Sequence, residues 1–362
     1  MPKIEPLFDE LVKRGGSDMH LAVGYPPLAR IRGELVALRE TAFEGPELEE
    51  GLVELLTPLQ RARLGADLDL DFAHTHKGNA RFRVNYFSKS SGMAAVFRLV
   101  PTRVLTLAEL GCPEVLWRLA DRRAGLVIVS GPTGSGKSTT LAAMLDHINK
   151  TRACHILTIE DPIEFVHEPL RAQITHREVG VHTPSFAAAM RTASRENPDV
   201  VLVGELRTPE VMKLALQLAS YGVLVFATTQ TNGAAATLER IVSAFPTEEQ
   251  SQVRGMLAEA LVGVVAQQLL LSSDGKTRVA VHEILLGSPA VSSLVRESKT
   301  AQLASVMQAG QAQGMQTLDS ALERLLTQNK IAAEDALDRA VDREAFAQVI
   351  ARVRPDLAEI LG

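Results

Sequence analysis

Cysteine and aromatic side chains are scarce in this chain of 362 residues, which has two cysteines, one tryptophan, three tyrosines and an aromatic share of 4%. Cys112 and Cys154 stand far apart, and neither has a neighbour at metal-ligand spacing. That excludes a disulfide framework and a cysteine-built zinc module, and both thiols read as core residues of a reduced, cytoplasmic protein. So few aromatics exclude an extended base-stacking surface. A basic excess is missing too. Lys and Arg total 38 against 43 Asp and Glu, a net charge of −5, which argues against a strongly basic nucleic-acid binder. No apolar run approaches the roughly 20 residues of a membrane-spanning helix. The opening Met1-Pro2-Lys3-Ile4-Glu5-Pro6 lacks the apolar segment of a signal peptide. Any membrane role is expected to come through a partner, without direct insertion.

What is present centres on Ser130-Gly131-Pro132-Thr133-Gly134-Ser135-Gly136-Lys137-Ser138. The spacing is G-x-x-x-x-G-K-[ST], the pattern of a phosphate-cradling loop. Glycines reach backbone angles closed to other residues, so successive N–H groups can turn inward around a phosphate. Gly131, Thr133, Gly134, Ser135 and Gly136, followed by Lys137, Ser138 and Thr139, are the expected nucleotide contacts. Lys137 reaches the β- and γ-phosphates, and the Ser138 hydroxyl ligates Mg²⁺. The flanks agree. Gly125–Val129 is a short β-branched run suited to a buried parallel strand. Leu141, Met144, Leu145 and Ile148 then recur as on one helix face. ATP with Mg²⁺ is the expected ligand, its phosphates at a helix N-terminus.

Residues 1–103 read as a small α/β domain, 104–112 as a linker (within a connector from Pro101 to Pro113), and 113–362 as an ATPase domain with C-terminal helices. In the first part Leu7, Leu11 and Val12 suggest an opening helix. Strand-like runs follow at Met19–Val23 and Leu28–Ile31, then a helix over Pro46–Leu56 with Pro58 beyond its end. Over residues 81–87, Arg81, Arg83 and Asn85 fall on one face of a strand and Phe82, Val84 and Tyr86 on the other. Ala94–Leu99 returns as a hairpin partner. By themselves the two arginines read as a solvated face.

In the larger part, runs at Leu126–Val129, Ile156–Ile159, Val200–Val203, Val223–Thr228 and Val279–Leu286 alternate with helical patterns. That alternation predicts a mainly parallel sheet with helices on both faces, which binds ligands at the carboxyl ends of its strands. Glu160 and Asp161, Glu205 and Gln230 stand at those ends. Glu160 and Glu205 are the carboxylates placed to activate water and to serve a metal, and spacing does not decide which does which. Thr208-Pro209 predicts a capped helix start. Thr247-Glu248-Glu249-Gln250 predicts a capping box ahead of a helix-periodic stretch reaching Leu271. From Met315 the pattern is helical, ending at Val353-Arg354-Pro355. His176 and His182 match no ligand spacing, so no protein-held transition metal is expected.

The chain resembles the retraction ATPases of type IV pili, within the wider class of secretion ATPases. The resemblance runs from Gly16-Ser17-Asp18-Met19-His20-Leu21 to Gly314-Met315-Gln316-Thr317-Leu318-Asp319. It rests on the phosphate loop, on the Asp-box stretch Ile156–Glu164 and on the Walker B stretch Asp199–Arg207. It implies a PAS-like α/β N-terminal domain and a RecA-like P-loop ATPase domain with a helical C-terminal extension, assembled as a homo-hexamer. It assigns Glu160 to water activation and Glu205 to the Mg²⁺ site, and it brings Arg81 and Arg83 towards nucleotide across a domain or subunit boundary. The implied role is a cytoplasmic motor, peripheral at the inner membrane, that acts on a pilus platform protein and leaves room for a second retraction ATPase beside it.

Two cysteines and no four-cysteine insert favour the retraction branch over the extension ATPases. Ala290-Val291-Ser292-Ser293-Leu294-Val295-Arg296-Glu297 resembles the retraction signature AIRNLIRE, with Ala290, Leu294, Arg296 and Glu297 intact. Another stretch departs. Where the family's His box reads roughly T-G-H-L-V-F-G-T-L-H-T, this chain has Val223 and Gln230 in place of both histidines. Thr208 replaces an acidic residue after Arg207, and it caps a helix equally well. A second reading follows from the missing histidines: an accessory paralogue that binds ATP and hydrolyses it weakly or not at all. A nucleic-acid translocase is the third, disfavoured by the charge balance.

Overall fold

The computed structural model describes residues 4–31, 33–78, 80–100 and 103–354. Pro101 and Pro355, expected at the connector and after the last helix, lie outside the described residues. The chain forms two compact units: residues 1–103 with 162–166, and residues 104–161 with 167–362.

In the first unit α1 (Glu5–Lys13) precedes β1 (Asp18–Ala22), β2 (Leu28–Ile31) and β3 (Glu34–Ala37). Helices α2 (Gly45–Glu54) and α3 (Pro58–Asp67) lead into β4 (Asp69–His76), β5 (Ala80–Lys89) and β6 (Gly92–Val100). The six strands form an antiparallel sheet in the order β3-β2-β1-β6-β5-β4. Along β5, Phe82, Val84 and Tyr86 are wholly buried, while Arg81, Arg83 and Asn85 take the other face. Phe8 of α1 sets its ring 4.8 Å from that of Phe82 and 5.0 Å from that of Phe97. The Tyr86 hydroxyl donates to the Leu52 carbonyl at 3.1 Å, which satisfies a buried phenol.

Pro58 lies beyond the end of α2, as expected, and it also opens α3, a helix the sequence pattern does not announce. Thr57 Oγ1 accepts from the Gln60 N–H, and the Gln60 side chain accepts from the Thr57 N–H. A proline suits the first turn of a helix because that N–H has no intrahelical partner anyway. Strand β3 escaped notice because all four of its residues are exposed, which leaves no alternation to read.

The second unit begins with α4 (Val115–Ala120), β7 (Gly125–Ser130), α5 (Lys137–Thr151), β8 (His155–Glu160) and β9 (Gln173–Glu178). There follow α6 (Phe186–Ala193), β10 (Val200–Val203), α7 (Pro209–Ser220), β11 (Leu224–Thr229) and α8 (Ala234–Ser243). Next come α9 (Thr247–Ala260), β12 (Leu261–Leu271), β13 (Arg278–Leu286), α10 (Pro289–Arg296) and α11 (Leu303–Ala309). The described chain closes with α12 (Leu318–Thr327), α13 (Ala333–Arg339) and α14 (Arg343–Val353). The seven-stranded sheet has the order β13-β12-β7-β11-β10-β8-β9, and β13 alone runs antiparallel to its neighbour.

Both faces are covered. Leu126 and Ile128 of β7 pack with Ala215 and Leu216 of α7. Val127 and Val129 face Leu141, Met144, Leu145 and Ile148 of α5. The C-terminal helices pack Leu322 and Phe346 with Leu270 of β12 and Val281 of β13. Thr208 caps α7 as expected, its hydroxyl accepting from the Val211 N–H. Among the described residues no helix is long and apolar enough to cross a membrane.

The helix expected to reach Leu271 stops at Ala260, and Leu261 starts β12 directly. β12 packs Val264 into the core on one face of the sheet and Val265 into the core on the other, so both its faces are buried and its sequence reads as a continuous apolar run. Periodicity cannot distinguish such a strand from a buried helix. The capping box at Thr247 is also absent. Pro246 occupies the cap position, and the Gln250 side chain instead donates to the Phe245 carbonyl at 3.0 Å.

Phe8→Ala should destabilise the N-terminal unit by about 3–5 kcal/mol, read as faster hydrogen exchange of the β5 and β6 amides. Burial holds the imidazoles of His167 and His282 down at about 4, from 6.5. The unfolded chain therefore takes up these protons first. The stability contribution is complete above pH 6.5 and is lost as pH falls towards 4, by roughly 3 kcal/mol for each histidine. Urea unfolding across that window should show His282→Leu with a shallower pH dependence than the wild type.

Candidate active site

β7 ends at Ser130, and the chain turns through Gly131–Gly136 into α5 at Lys137. Gly134 and Gly136 have φ of +80° and +85°, a region L side chains rarely enter. At Gly131 space is closed as well: a Cβ would fall 2.2 Å from the Gln267 carbonyl oxygen and 2.7 Å from Ser135 Oγ. The N-cap of α5 is Gly136, which has no side chain to cap the first turn, so the leading N–H groups are available to an anion. Lys137 Nζ donates to the carbonyls of Gly131 at 2.8 Å and Pro132 at 2.9 Å. Ser138 and Thr139 sit half-buried in the same turn, and Thr133 is exposed. A cleft of about 400 Å³ opens beside the loop, lined in part by Pro132, Thr133, Ser135, Arg278 and Arg339.

Gln267, which the sequence reading passed over, holds this loop in place. It lies on β12, next to the Ala266–Ser130 register pair, and is 2% exposed. Its Nε2 donates to the Ser135 carbonyl at 2.7 Å, and its Oε1 accepts from Thr140 Oγ1 at 2.8 Å. One buried amide therefore ties the strand to the loop and to the first turn of α5. The polar pair Gln267-Gln268 inside an otherwise apolar run was the available signal.

Strands β7, β11, β10 and β8 run parallel with Ser130 opposite Thr229, and with Val203 opposite both Ala227 and Ile159. Their carboxyl ends coincide. Glu160 is the last residue of β8 and is buried; Glu205 follows β10 and Gln230 follows β11. Gln230 Nε2 donates to Glu205 Oε1 at 2.8 Å, and Arg207 Nε donates to Oε2 at 2.6 Å. Arg207 also lies 3.8 Å from Asp161. Glu205 and Gln230 thus meet directly.

Val223 does not join them. It precedes β11 at the amino end, packs against the apolar core, and its carbonyl accepts from the Gly125 N–H at 3.1 Å. A strand of that length puts it roughly 20 Å from Gln230. Of the two departures from the His box, one touches the site. Arg81 and Arg83 lie on β5 in the other unit, where Arg83 is 4.0 Å from Glu164.

His176, discarded as a metal ligand, approaches a predicted catalytic residue. Its Nδ1 is 2.8 Å from Thr158 Oγ1 and 3.7 Å from Glu160 Oε1. His182 Nδ1 accepts from the Glu178 N–H at 3.0 Å. Among the described residues no group of His, Cys, Asp and Glu forms a ready metal cage.

The family described as Type II/IV secretion system protein matches residues 53–359. The chain is 47% identical over 334 residues to the type IV pilus retraction ATPase PilT of Pseudomonas aeruginosa, covering 92% of this chain and 97% of that one. It is 48% identical over 321 residues to a twitching motility protein of Neisseria gonorrhoeae, with 89% and 86% covered. A crystal structure of the pilus retraction motor PilT with bound ADP matches with a TM-score of 0.89 at 39% identity, covering 95% of this chain and 98% of that one. The chain belongs to the type II/IV secretion system protein family, among its type IV pilus retraction ATPases.

Proposed function

We propose that this chain is an ATP-hydrolysing motor that retracts a type IV pilus. The observation that carries the reading is the meeting of an uncapped helix start, a glycine-built loop and two strand-tip glutamates along one edge of the sheet. The loop and first-turn N–H groups bind the β- and γ-phosphates, and Lys137 exchanges its two carbonyl partners for phosphate oxygens. Glu160 orients the attacking water and takes its proton as the bond between the γ-phosphorus and the β–γ bridging oxygen breaks. Ser138 and Glu205 would hold Mg²⁺, which neutralises phosphate charge when bound. The loop and carboxylate suit that ion: both offer oxygen donors beside a phosphate cradle. Gln230 fixes one Glu205 oxygen and presents a hydrogen-bond donor towards the γ-phosphate.

In this reading the working unit is a homo-hexamer on the cytoplasmic side of the inner membrane. Arg81 and Arg83 supply positive charge to a nucleotide across a boundary between domains or subunits, which couples hydrolysis to ring geometry. The ring moves a pilus platform protein, alone or with a second retraction ATPase. Gln230 favours one further reading, an accessory subunit of low turnover. Glutamine can donate a hydrogen bond, but it cannot become cationic as histidine can.

Turnover should be Mg²⁺-dependent, and Lys137→Ala or Glu205→Ala should lower it at least about 100-fold, measured as phosphate release by the assembled protein. Wild-type release no faster than that of Lys137→Ala would contradict the motor. Gln230→His separates the two readings. A motor should change less than about threefold, whereas a low-turnover accessory subunit should gain tenfold or more.

A further inference from the structure

We propose that His176 is the positioning residue for Glu160, fixing the carboxylate in the orientation from which it accepts a proton. The inference rests on Glu160 being the group that serves the attacking water. β8 and β9 are parallel neighbours, with Thr158 opposite His176 and Glu160 opposite Glu178. The two-residue period places Thr158, Glu160 and His176 on one face of the sheet. On the opposite face Ile159 enters the core, and Arg177 pairs with Glu196 at 2.5 Å.

The His176 ring is gripped at both nitrogens. Its Nε2 accepts from the His167 backbone N–H at 3.4 Å. A neutral imidazole has one N–H and one bare nitrogen, so an accepting Nε2 assigns the hydrogen to Nδ1. Nδ1–H therefore donates to Thr158 Oγ1 at 2.8 Å, and Glu160 Oε1 lies 3.7 Å from the same nitrogen, beyond a hydrogen bond but within reach of the N–H dipole. One face of the ring stacks on His167, with centroids 6.1 Å apart and planes 8° apart. Thr158 is fully buried and His167 nearly so. His167 is also where the chain re-enters this unit after residues 162–166. Residue 160 and that point of return therefore share one imidazole.

A carboxylate on a flexible side chain gains most from such a hold, since misplacement by about 1 Å can cost on the order of 100-fold in rate. The test is steady-state ATP turnover of the assembled full chain, with ADP affinity measured beside it. His176→Phe keeps the stack and removes both polar atoms. It should lower kcat about 10- to 100-fold and leave KM and the Kd for ADP within about twofold. His176→Asn, whose amide can replace Nδ1, should recover most of the loss. In a Glu160→Gln background, His176→Phe should cost less than about twofold, because the group it positions is already gone. An equal cost in both backgrounds, no recovery by Asn, or a loss confined to KM would overturn the role of His176 alone. A fully active Glu160→Gln would overturn the reading of Glu160, and the role of His176 with it. Should His176→Phe fail to fold, Thr158→Val removes the hydroxyl that holds His176 Nδ1, at constant volume. It should lower kcat in the wild type and not in Glu160→Gln, and the opposite result overturns the proposal.

Discussion

One buried amide, that of Gln267, determines whether the phosphate loop has a single shape. Its two hydrogen bonds join β12 to Ser135 in the loop and to Thr140 on α5. Removing it would leave a buried carbonyl and a hydroxyl unpaired, at about 1–3 kcal/mol each. The glycines on either side answer to the same residue. Gly131 passes beneath the Gln267 carbonyl, and a Cβ at Gly136 would press on its Nε2 at 2.8 Å. The sequence motif and this clamp are therefore two halves of one packing arrangement. A loop held in that way loses little conformational freedom when an anion arrives, which favours affinity.

The parallel sheet adds the second half of the site. Because four strands end together, residues from distant parts of the chain meet without any loop having to reach. Glu205 has a partner on each oxygen, Gln230 on one and Arg207 on the other. Glutamine at position 230 thus preserves a hydrogen bond to the Walker B carboxylate while giving up the capacity for charge. His176 stands beside Glu160, so this chain keeps an imidazole at the edge of the site, on β9.

Features set by local periodicity were legible in the sequence. The phosphate loop, the buried strand before it and the apolar face of α5 are all short-range patterns, and each lies where the spacing places it. The alternation of Arg81, Phe82, Arg83 and Val84 is equally local. What escaped depends on sheet order. β12 looks like a helix because burial on both faces erases its alternation, and Gln267 becomes a clamp only once β12 lies beside β7. His176 becomes a neighbour of Glu160 only through the register of β9 with β8. Val223 and Gln230 look equivalent in the sequence, yet β11 carries them to opposite ends of the sheet.

In the motor proposed above, a loop made rigid by Gln267 binds the nucleotide that drives the protein. Titration calorimetry of ADP into the wild type and into Gln267→Leu tests it directly. One ADP should bind per wild-type chain, with an affinity at least about tenfold weaker in the folded variant, the cost of one lost clamp bond. A wild-type chain indifferent to ADP, or a variant that binds it equally well, would contradict it.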